Sequence, residues 1–255
     1  MNYITAVTNQ KGGTGKTTST LNIGAGLNQR GYKVLLIDLD PQGSLSISAG
    51  VDTAEMSYTV YELLKGVCEA KDTVVSLGSG FDIIPADIRL AVADIELNGI
   101  AGREFILKEA LEPIIEAYDF VYMDCSPSLG VLTLNALALA DEVLIPMQAE
   151  PLALAGMSSL ISTIKTINKR INPNIFISGI LITKWNSRKN LNSFITDQLK
   201  SSFSDIIYST KIRDNIALAE ATNVGKDIFT YDSKSNGAVD YNNLINEMLE
   251  RKKLK

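Results

Sequence analysis

Short apolar runs alternate with longer helical patterns along most of the chain. The apolar runs are rich in β-branched residues and span 3–8, 33–38, 81–84, 120–124, 142–148 and 175–183. Helical patterns begin at Lys16, near Ser128, near Leu152, near Leu191 and near Ala238. Because strands covered on both faces are hydrophobic along their length, this order predicts an α/β fold of βαβ units, with a mostly parallel central sheet and helices on both faces.

The sequence shows no sign of a second domain. Its 255 residues are 45% hydrophobic, an ordinary fraction for a globular protein, and contain no repeat, low-complexity linker or abrupt change of composition. The stretch 58–102 carries short helical patterns at 60–64 and 90–97, which the sequence alone does not place relative to the sheet. We expect a single domain over 1–255.

Composition excludes several kinds of chemistry. The chain has no histidine, which excludes a histidine base, a histidine metal site and a Ser-His-Asp triad. Its net charge of -5 means that any binding to nucleic acid needs a local basic patch. Cys68 and Cys125 lie in different contexts and are interpreted as free thiols. Without a long apolar run or a signal leader, we expect a cytoplasmic protein.

The stretch NQKGGTGKTT, 9–18, follows the first predicted strand and opens the first predicted helix. In this arrangement backbone N–H groups and a helix N-terminus hold phosphate oxygens. The usual P-loop has a glycine five residues before its last glycine, and Gln10 stands there, so this loop is a variant. The residues expected to hold a nucleotide polyphosphate are Gly12, Gly13, Thr14, Gly15, Lys16, Thr17 and Thr18.

The two lysines of this loop have different predicted roles. Lys16 supplies a cation to the nucleotide of its own subunit, and Thr17 supplies a hydroxyl to Mg²⁺. Lys11, at the front of the loop, has no evident duty in its own subunit. We predict that it reaches the phosphates of a second subunit across a nucleotide sandwich, as arginine fingers do in trans. The alternative is a solvated loop lysine.

These residues resemble a known family. KGGTGKTT at 11–18 is similar to the deviant Walker A motif, and the set resembles the ParA/Soj ATPases that partition plasmids and chromosomes, relatives of MinD and of nitrogenase iron protein. The likeness continues in LLIDLDPQGS at 35–44, YDFVYMDCSPSLGVLTLNAL at 118–137, EPLALAGMSSL at 150–160 and YDSKSNGA at 231–238. The resemblance implies a P-loop NTPase fold, ATP and Mg²⁺ as cofactors, hydrolysis to ADP and an ATP-sandwich homodimer.

The resemblance also implies partners. ParA/Soj proteins bind DNA non-specifically as ATP dimers and are stimulated by a ParB-type partner, which would place this protein on the nucleoid. Their basic segment reads close to IPRNVRLSEA, whereas IRDNIALAEA occupies 212–221 here, so the expected DNA patch is thinned. The candidate DNA-binding residues are Lys211, Arg213 and Lys234, with Lys184, Arg188, Lys189 and Lys226 as further basic positions.

Carboxylates follow two of the predicted strands. Asp38 and Asp40 end one strand and Asp124 ends another, at the carboxyl edge where parallel sheets gather their ligands. Beside a phosphate loop, they predict a site for a metal and a water. Asp124 fits the Walker B role of holding Mg²⁺, Asp38 would support the metal shell, and Asp40 would orient the attacking water. The predicted metal set is Thr17, Asp38, Asp40 and Asp124, and the predicted catalytic set is Lys11, Lys16 and Asp40.

The base pocket is predicted from the resemblance. In related ATPases adenine lies near the loop after the strand that here ends ILITKWN, so Thr183 and Lys184 are candidates. The segment IRDN at 212–215 would form the other wall, with Arg213 and Asp214 as nucleotide-binding residues.

A second functional class stays open. A MinD-like positioning or regulatory switch would act at a membrane or on another protein complex, and NNLINEMLERKKLK at 242–255 is the stretch that could reach a membrane. Its apolar positions Leu244, Ile245, Met248 and Leu249 share one helical face. We favour a stripe packed on the sheet, and membrane binding is not expected. An iron-sulfur ATPase would need paired cysteines, which Cys68 and Cys125 do not form.

Overall fold

The structure is a computed structural model that describes residues 2–150, 153–186 and 190–253. Within these ranges eight strands form one sheet, in the order β3-β4-β2-β5-β1-β6-β7-β8. All neighbouring strands are parallel except β3 and β4. The strands are β1 (Tyr3–Val7), β2 (Val34–Leu39), β3 (Val75–Gly78), β4 (Phe81–Ile84), β5 (Phe120–Cys125), β6 (Glu142–Gln148), β7 (Phe176–Trp185) and β8 (Ile207–Arg213).

Helices connect the strands and cover both faces of the sheet. In chain order they are α1 (Lys16–Asn28), α2 (Ser44–Ser48), α3 (Val60–Leu64), α4 (Leu90–Glu96), α5 (Ile106–Ile115), α6 (Val131–Leu139), α7 (Ala153–Arg170), α8 (Asn190–Phe203), α9 (Ile216–Asn223), α10 (Ile228–Asp232) and α11 (Asn236–Lys253).

The sheet separates two hydrophobic cores. Successive strand residues point to opposite faces, so Leu36 of β2 lies in one core while Leu35 and Ile37 lie in the other. The core around Leu36 packs against α1, α2, α9, α10 and α11. The other core packs against α3 to α8. This confirms the predicted α/β architecture with a doubly covered, mostly parallel sheet.

The strand register sets the position of the candidate site. β5 lies between β1 and β2 at the centre of the sheet. Asp124 of β5 pairs with Val7 on one side and with Asp38 of β2 on the other. The phosphate loop leaves the carboxyl end of β1, so the loop and both carboxylates meet at one edge of the sheet.

Most predicted elements are confirmed, with small shifts at their ends. All six predicted strands are present, and the helices predicted at Lys16 and near Leu191 and Ala238 begin at Lys16, Asn190 and Asn236. The predicted start near Leu152 lies outside the described residues, and α7 is described from Ala153. The prediction missed two edge strands, β3 and β8, because edge strands carry polar residues that blur the apolar pattern.

The C-terminal helix buries the face that suggested membrane binding. Leu244 and Ile245 of α11 are fully buried and Met248 is 3% exposed, all in the core that α11 shares with α1. Next to this face, Lys252 pairs with Glu142 of β6. This favours the packed stripe over an exposed amphipathic helix. None of the described helices is long and apolar enough to cross a membrane.

Gly26 tests the packing of α1 against the C-terminal helices. A Cβ at this position would collide with Ile245 and lie 2.9 Å from the Phe229 ring. We expect Gly26→Ala to lower the free energy of unfolding by about 1 to 2 kcal/mol, because the cost of overpacking exceeds the gain of about 1 kcal/mol from removing a helical glycine.

The matched control is Gly156→Ala in α7, where a Cβ would meet nothing within 4 Å. This change should raise the free energy of unfolding by about 0.5 to 1 kcal/mol. Urea denaturation of both variants measures the two effects. A Gly26→Ala protein as stable as Gly156→Ala would contradict the packing described for α1.

Candidate functional site

The phosphate loop joins β1 to α1. Gly13 and Gly15 have φ angles of 72° and 88°, a conformation that favours glycine. A Cβ at Gly12 or Gly13 would meet nothing within 4 Å, so the front of the loop is open. Gly15 is the N-cap of α1, whose first turn contains no acidic residue. The partial positive charge of the helix N-terminus is therefore free to attract an anion.

Side chains from the strands β6 and β7 set the shape of this loop. Gln148 Nε2 donates to the carbonyl oxygen of Gly13 at 2.6 Å, and Thr183 Oγ1 donates to that of Thr14 at 2.7 Å. In a planar trans peptide the N–H points opposite to the C=O. Holding these two carbonyls on the strand side therefore turns the N–H groups of Thr14 and Gly15 to the other side, as a phosphate cradle needs.

The structure gives Thr183 a further contact that the sequence did not predict, and it adds residues that the sequence did not single out. Thr183 braces the loop through the Thr14 carbonyl in addition to lining the base cavity described below. Asn9 Nδ2 donates to the carbonyl oxygen of Pro146 at 2.8 Å and Asn9 Oδ1 accepts from the Lys11 amide. A polar residue at or just beyond the end of an apolar strand, such as Gln148 or Asn9, was the available signal.

The two loop lysines have different environments. Lys16 is 7% exposed, and its Nζ lies 3.5 Å from the carbonyl oxygen of Lys11. The Lys11 side chain is 57% exposed and forms an ion pair with Glu150 of the same chain. An ion pair between exposed groups contributes at most about 1 kcal/mol, so it does not prevent the Lys11 ammonium from moving to another anion.

Thr17, Asp38 and Asp124 converge at the carboxyl edge. Thr17 Oγ1 donates to Asp124 Oδ2 at 2.6 Å. The other oxygen of Asp124, Oδ1, is buried and has no hydrogen-bond partner in the described part of the chain. Asp38 is fully buried, and its Oδ2 accepts from the amide and the hydroxyl of Ser46 at 2.9 and 2.8 Å.

Burial makes both carboxylates harder to ionise. It raises the pKa of Asp38 to about 6. Burial, and then the charge of Asp38, raise the pKa of Asp124 well above its usual value, while the hydrogen bond from Thr17 acts in the opposite direction. A bound cation would favour the ionised form of both groups.

The donor set fits Mg²⁺. No group of three or more acidic or cysteine side chains that could cage an ion occurs among residues 2–150, 153–186 and 190–253. Mg²⁺ does not need one, because it uses one or two carboxylates together with phosphate oxygens and waters. The unpartnered Oδ1 of Asp124, the Thr17 hydroxyl and the buried Asp38 supply hard oxygen ligands beside the phosphate loop.

Asp40 lies in the turn after β2 and is half-buried. Its amide donates to Asp38 Oδ1 at 3.1 Å, and its own Oδ1 accepts from the amide of Gln42 at 3.0 Å. The structure thus places Asp40 next to the carboxylate pair, with a side chain shaped by its own turn. Its predicted part in orienting water remains a prediction.

A cavity of about 730 Å³ adjoins the phosphate loop. Its volume falls in the range of about 300 to 1,000 Å³ that is usual for small-molecule sites. It is lined by residues from the loop, from α1, α9 and α11 and from the ends of β7 and β8. Among them are Gly15, Thr18, Thr183, Lys184, Arg213 and Asp214. All the residues predicted to bind the base are therefore brought together here.

The predicted DNA-binding residues are partly engaged within the chain. Arg213 makes a two-pronged ion pair with the buried Asp240 of α11, at 2.6 to 3.1 Å. Lys211 Nζ lies 3.5 Å from the centre of the Trp185 ring. Lys234 is exposed at the turn before α11.

The further basic positions are divided between exposed and undescribed parts of the chain. Lys184 and Lys226 are exposed, whereas Arg188 and Lys189 lie outside the described residues.

Cys125 is buried, and burial raises the pKa of its thiol. Packing therefore explains this residue better than thiol chemistry does.

Known proteins resemble this chain over nearly its whole length. An AAA domain matches residues 2–177. The chain is 42% identical over 249 residues to the sporulation initiation inhibitor protein Soj of Bacillus subtilis, which covers 97% of this chain and 98% of the relative. It is 38% identical over 253 residues to the chromosome partitioning protein ParA of Caulobacter vibrioides, which covers 98% and 95%.

A solved structure shows the same fold. The cobyrinic acid a,c-diamide synthase from Mycobacterium smegmatis, with a bound ATP analogue and magnesium, superposes with a TM-score of 0.87 at 35% identity and covers 99% of this chain and 96% of that one. The chain belongs to the ParA/Soj family of proteins with an AAA domain.

Proposed function

We propose that this protein is a ParA-type ATPase that dimerises around ATP and Mg²⁺, binds non-specific DNA as that dimer and drives the partition of a plasmid or chromosome with a ParB-type partner. One observation carries the ATPase proposal. Beside the phosphate loop, the Thr17 hydroxyl contacts one oxygen of the buried Asp124, whose other oxygen has no partner in the described structure.

The relatives support the choice of nucleotide and process. The mycobacterial protein holds an ATP analogue and magnesium, and the Caulobacter relative is named for chromosome partitioning. The MinD-like alternative is less well supported, because its candidate membrane helix is packed in the core.

Each residue of the site has a separate role in the proposed hydrolysis of ATP. The loop amides and Lys16 hold the phosphates, and Thr17 and Asp124 hold the cation with support from Asp38. Mg²⁺ held by these residues would supply positive charge that offsets the negative charge of the phosphates. Asp40 orients the attacking water, and Lys11 of the second subunit stabilises the charge that develops on the phosphoryl group. Phosphoryl transfer depends on such positioning rather than on a strong base, which suits a chain without histidine.

Lys11→Ala tests the role across the dimer. The variant should bind ATP as well as the unaltered protein, because Lys16 and the loop amides remain. Its hydrolysis should fall by roughly 10³-fold or more, the effect expected for a cation supplied in trans. Binding of a fluorescent ATP analogue and release of phosphate measure the two quantities separately. Normal turnover would refute the role.

Asp40→Ala tests the water-orienting role. The variant should bind ATP and accumulate as an ATP-bound dimer, because the chemical step is blocked after assembly. Size-exclusion chromatography with ATP and Mg²⁺ measures the dimer. A variant that stays monomeric while the unaltered protein dimerises would count against this assignment.

Mixing the two variants separates action in trans from action in cis. In a mixed dimer, the Lys11→Ala subunit keeps its own Asp40 and receives Lys11 from the Asp40→Ala subunit. That one site should hydrolyse ATP, so the mixture should recover turnover that neither variant shows alone. A mixture as inactive as its components would mean that Lys11 acts within its own subunit.

DNA retention tests the remaining basic residues. Random duplex DNA should retain the protein with ATP but not with ADP, and retention should fall steeply with salt. Lys234→Glu should weaken retention and lower the salt slope by about one. Lys33→Glu is the control, because Lys33 is exposed at the opposite edge of the sheet, just before β2. Equal retention with ATP and ADP, or ATP-dependent retention on anionic liposomes instead, would favour the MinD-like alternative.

A further inference from the structure

Ser46 connects the metal-site carboxylate to a distant part of the chain. It lies in α2 and is fully buried. Its amide and its hydroxyl both donate to Asp38 Oδ2, at 2.9 and 2.8 Å. The amide of Ala86, just after β4, donates to the Ser46 oxygen at 3.0 Å.

The Ala86 contact determines where the hydroxyl proton points. An amide N–H can only donate, so the Ser46 oxygen acts as the acceptor in this contact. The proton of the Ser46 hydroxyl then points at Asp38 Oδ2. An ionised carboxylate has no proton to donate, so this oxygen is the acceptor. The result is a directed chain of hydrogen bonds from Ala86 through Ser46 to Asp38.

The backbone around Ser46 is built for this close approach. Gly43, the N-cap of α2, has a φ of 61°, and a Cβ there would lie 2.8 Å from the carbonyl oxygen of Ala86. Only glycine lets the turn after β2 press against the segment after β4. Asp38 Oδ1 is held from the other side by the amide of Asp40. Both oxygens of the Asp38 carboxylate are therefore fixed.

We propose that Ser46 is a positioning residue for the metal site: its hydroxyl, locked by the amide of Ala86, holds the Asp38 carboxylate in the orientation that supports bound Mg²⁺. This inference rests on the proposed function, since it concerns the cation that the ATP site would hold. Groups that orient a metal ligand typically change metal affinity or activity by about 10- to 100-fold when they are removed.

The alternative is that Ser46 only stabilises α2. Ser48 provides the comparison, because it is also nearly buried in α2 and its hydroxyl donates to the carbonyl oxygen of Ser44 at 2.6 Å, away from Asp38. Ser46→Ala and Ser48→Ala each remove one buried hydroxyl from the same short helix. Only the first change touches the metal site.

Mg²⁺ is titrated into each protein after saturation with a fluorescent ATP analogue in metal-free buffer, and the half-saturating Mg²⁺ concentration is read from the fluorescence. We expect it to rise about 10-fold in Ser46→Ala and to stay unchanged in Ser48→Ala. Affinity for the analogue without Mg²⁺ should be the same in all three proteins. Ser46→Cys, which keeps a weak donor of similar size, should fall in between and serves if Ser46→Ala does not fold.

The outcomes distinguish a structural role of Ser46 from a failure of the proposed function. If the unaltered protein binds the analogue with a clear Mg²⁺ dependence that Ser46→Ala and Ser46→Cys share unchanged, Ser46 is structural and the inference is wrong. The same holds if Ser48→Ala weakens Mg²⁺ binding as much as Ser46→Ala does. If the unaltered protein shows no binding of the analogue, or no response to Mg²⁺, the proposed function itself fails.

Discussion

The structure around the candidate site depends on two carboxylates that are buried side by side. Asp38 and Asp124 lie opposite each other on adjacent strands and are almost inaccessible to solvent. Removing an ionised group from water costs several kcal/mol even after relaxation, and two like charges add to that cost. A cation bound in the proposed magnesium site would offset this cost. The Thr17 hydroxyl contacts Asp124, and Ser46 of α2 contacts Asp38.

The phosphate loop depends on its neighbours as much as on its glycines. Its carbonyl groups are held by side chains of β6 and β7, which are separated from it by more than a hundred positions in the sequence. The conformation of the loop is thus held by hydrogen bonds from the folded sheet. Such hydrogen bonds reduce the entropy cost of ordering a loop on binding.

The sequence predicts the architecture well, and it predicts which carboxylates lie beside the phosphate loop. The central strands are nearly continuous apolar runs. Asp38, Asp40 and Asp124 stand out because they are charged residues at or just after the ends of these runs. Edge strands are harder to predict from the apolar pattern. β8 has no neighbouring strand on one side of the described sheet, so it contains both buried Ile207 and exposed Ser209. The sequence also does not predict the contacts that support the loop. Gln148 and Gly13 are far apart in the sequence, and only the fold brings them together.

The ion pair of Arg213 with Asp240 joins the rim of the base cavity to the last helix of the chain. Arg213 ends β8, and Asp240 lies in the first turns of α11, whose apolar face is locked into the core against α1. The helices α1 and α11 therefore pack against each other, and both line the cavity. A change in the position of α11 would therefore also move the Arg213 side of this cavity.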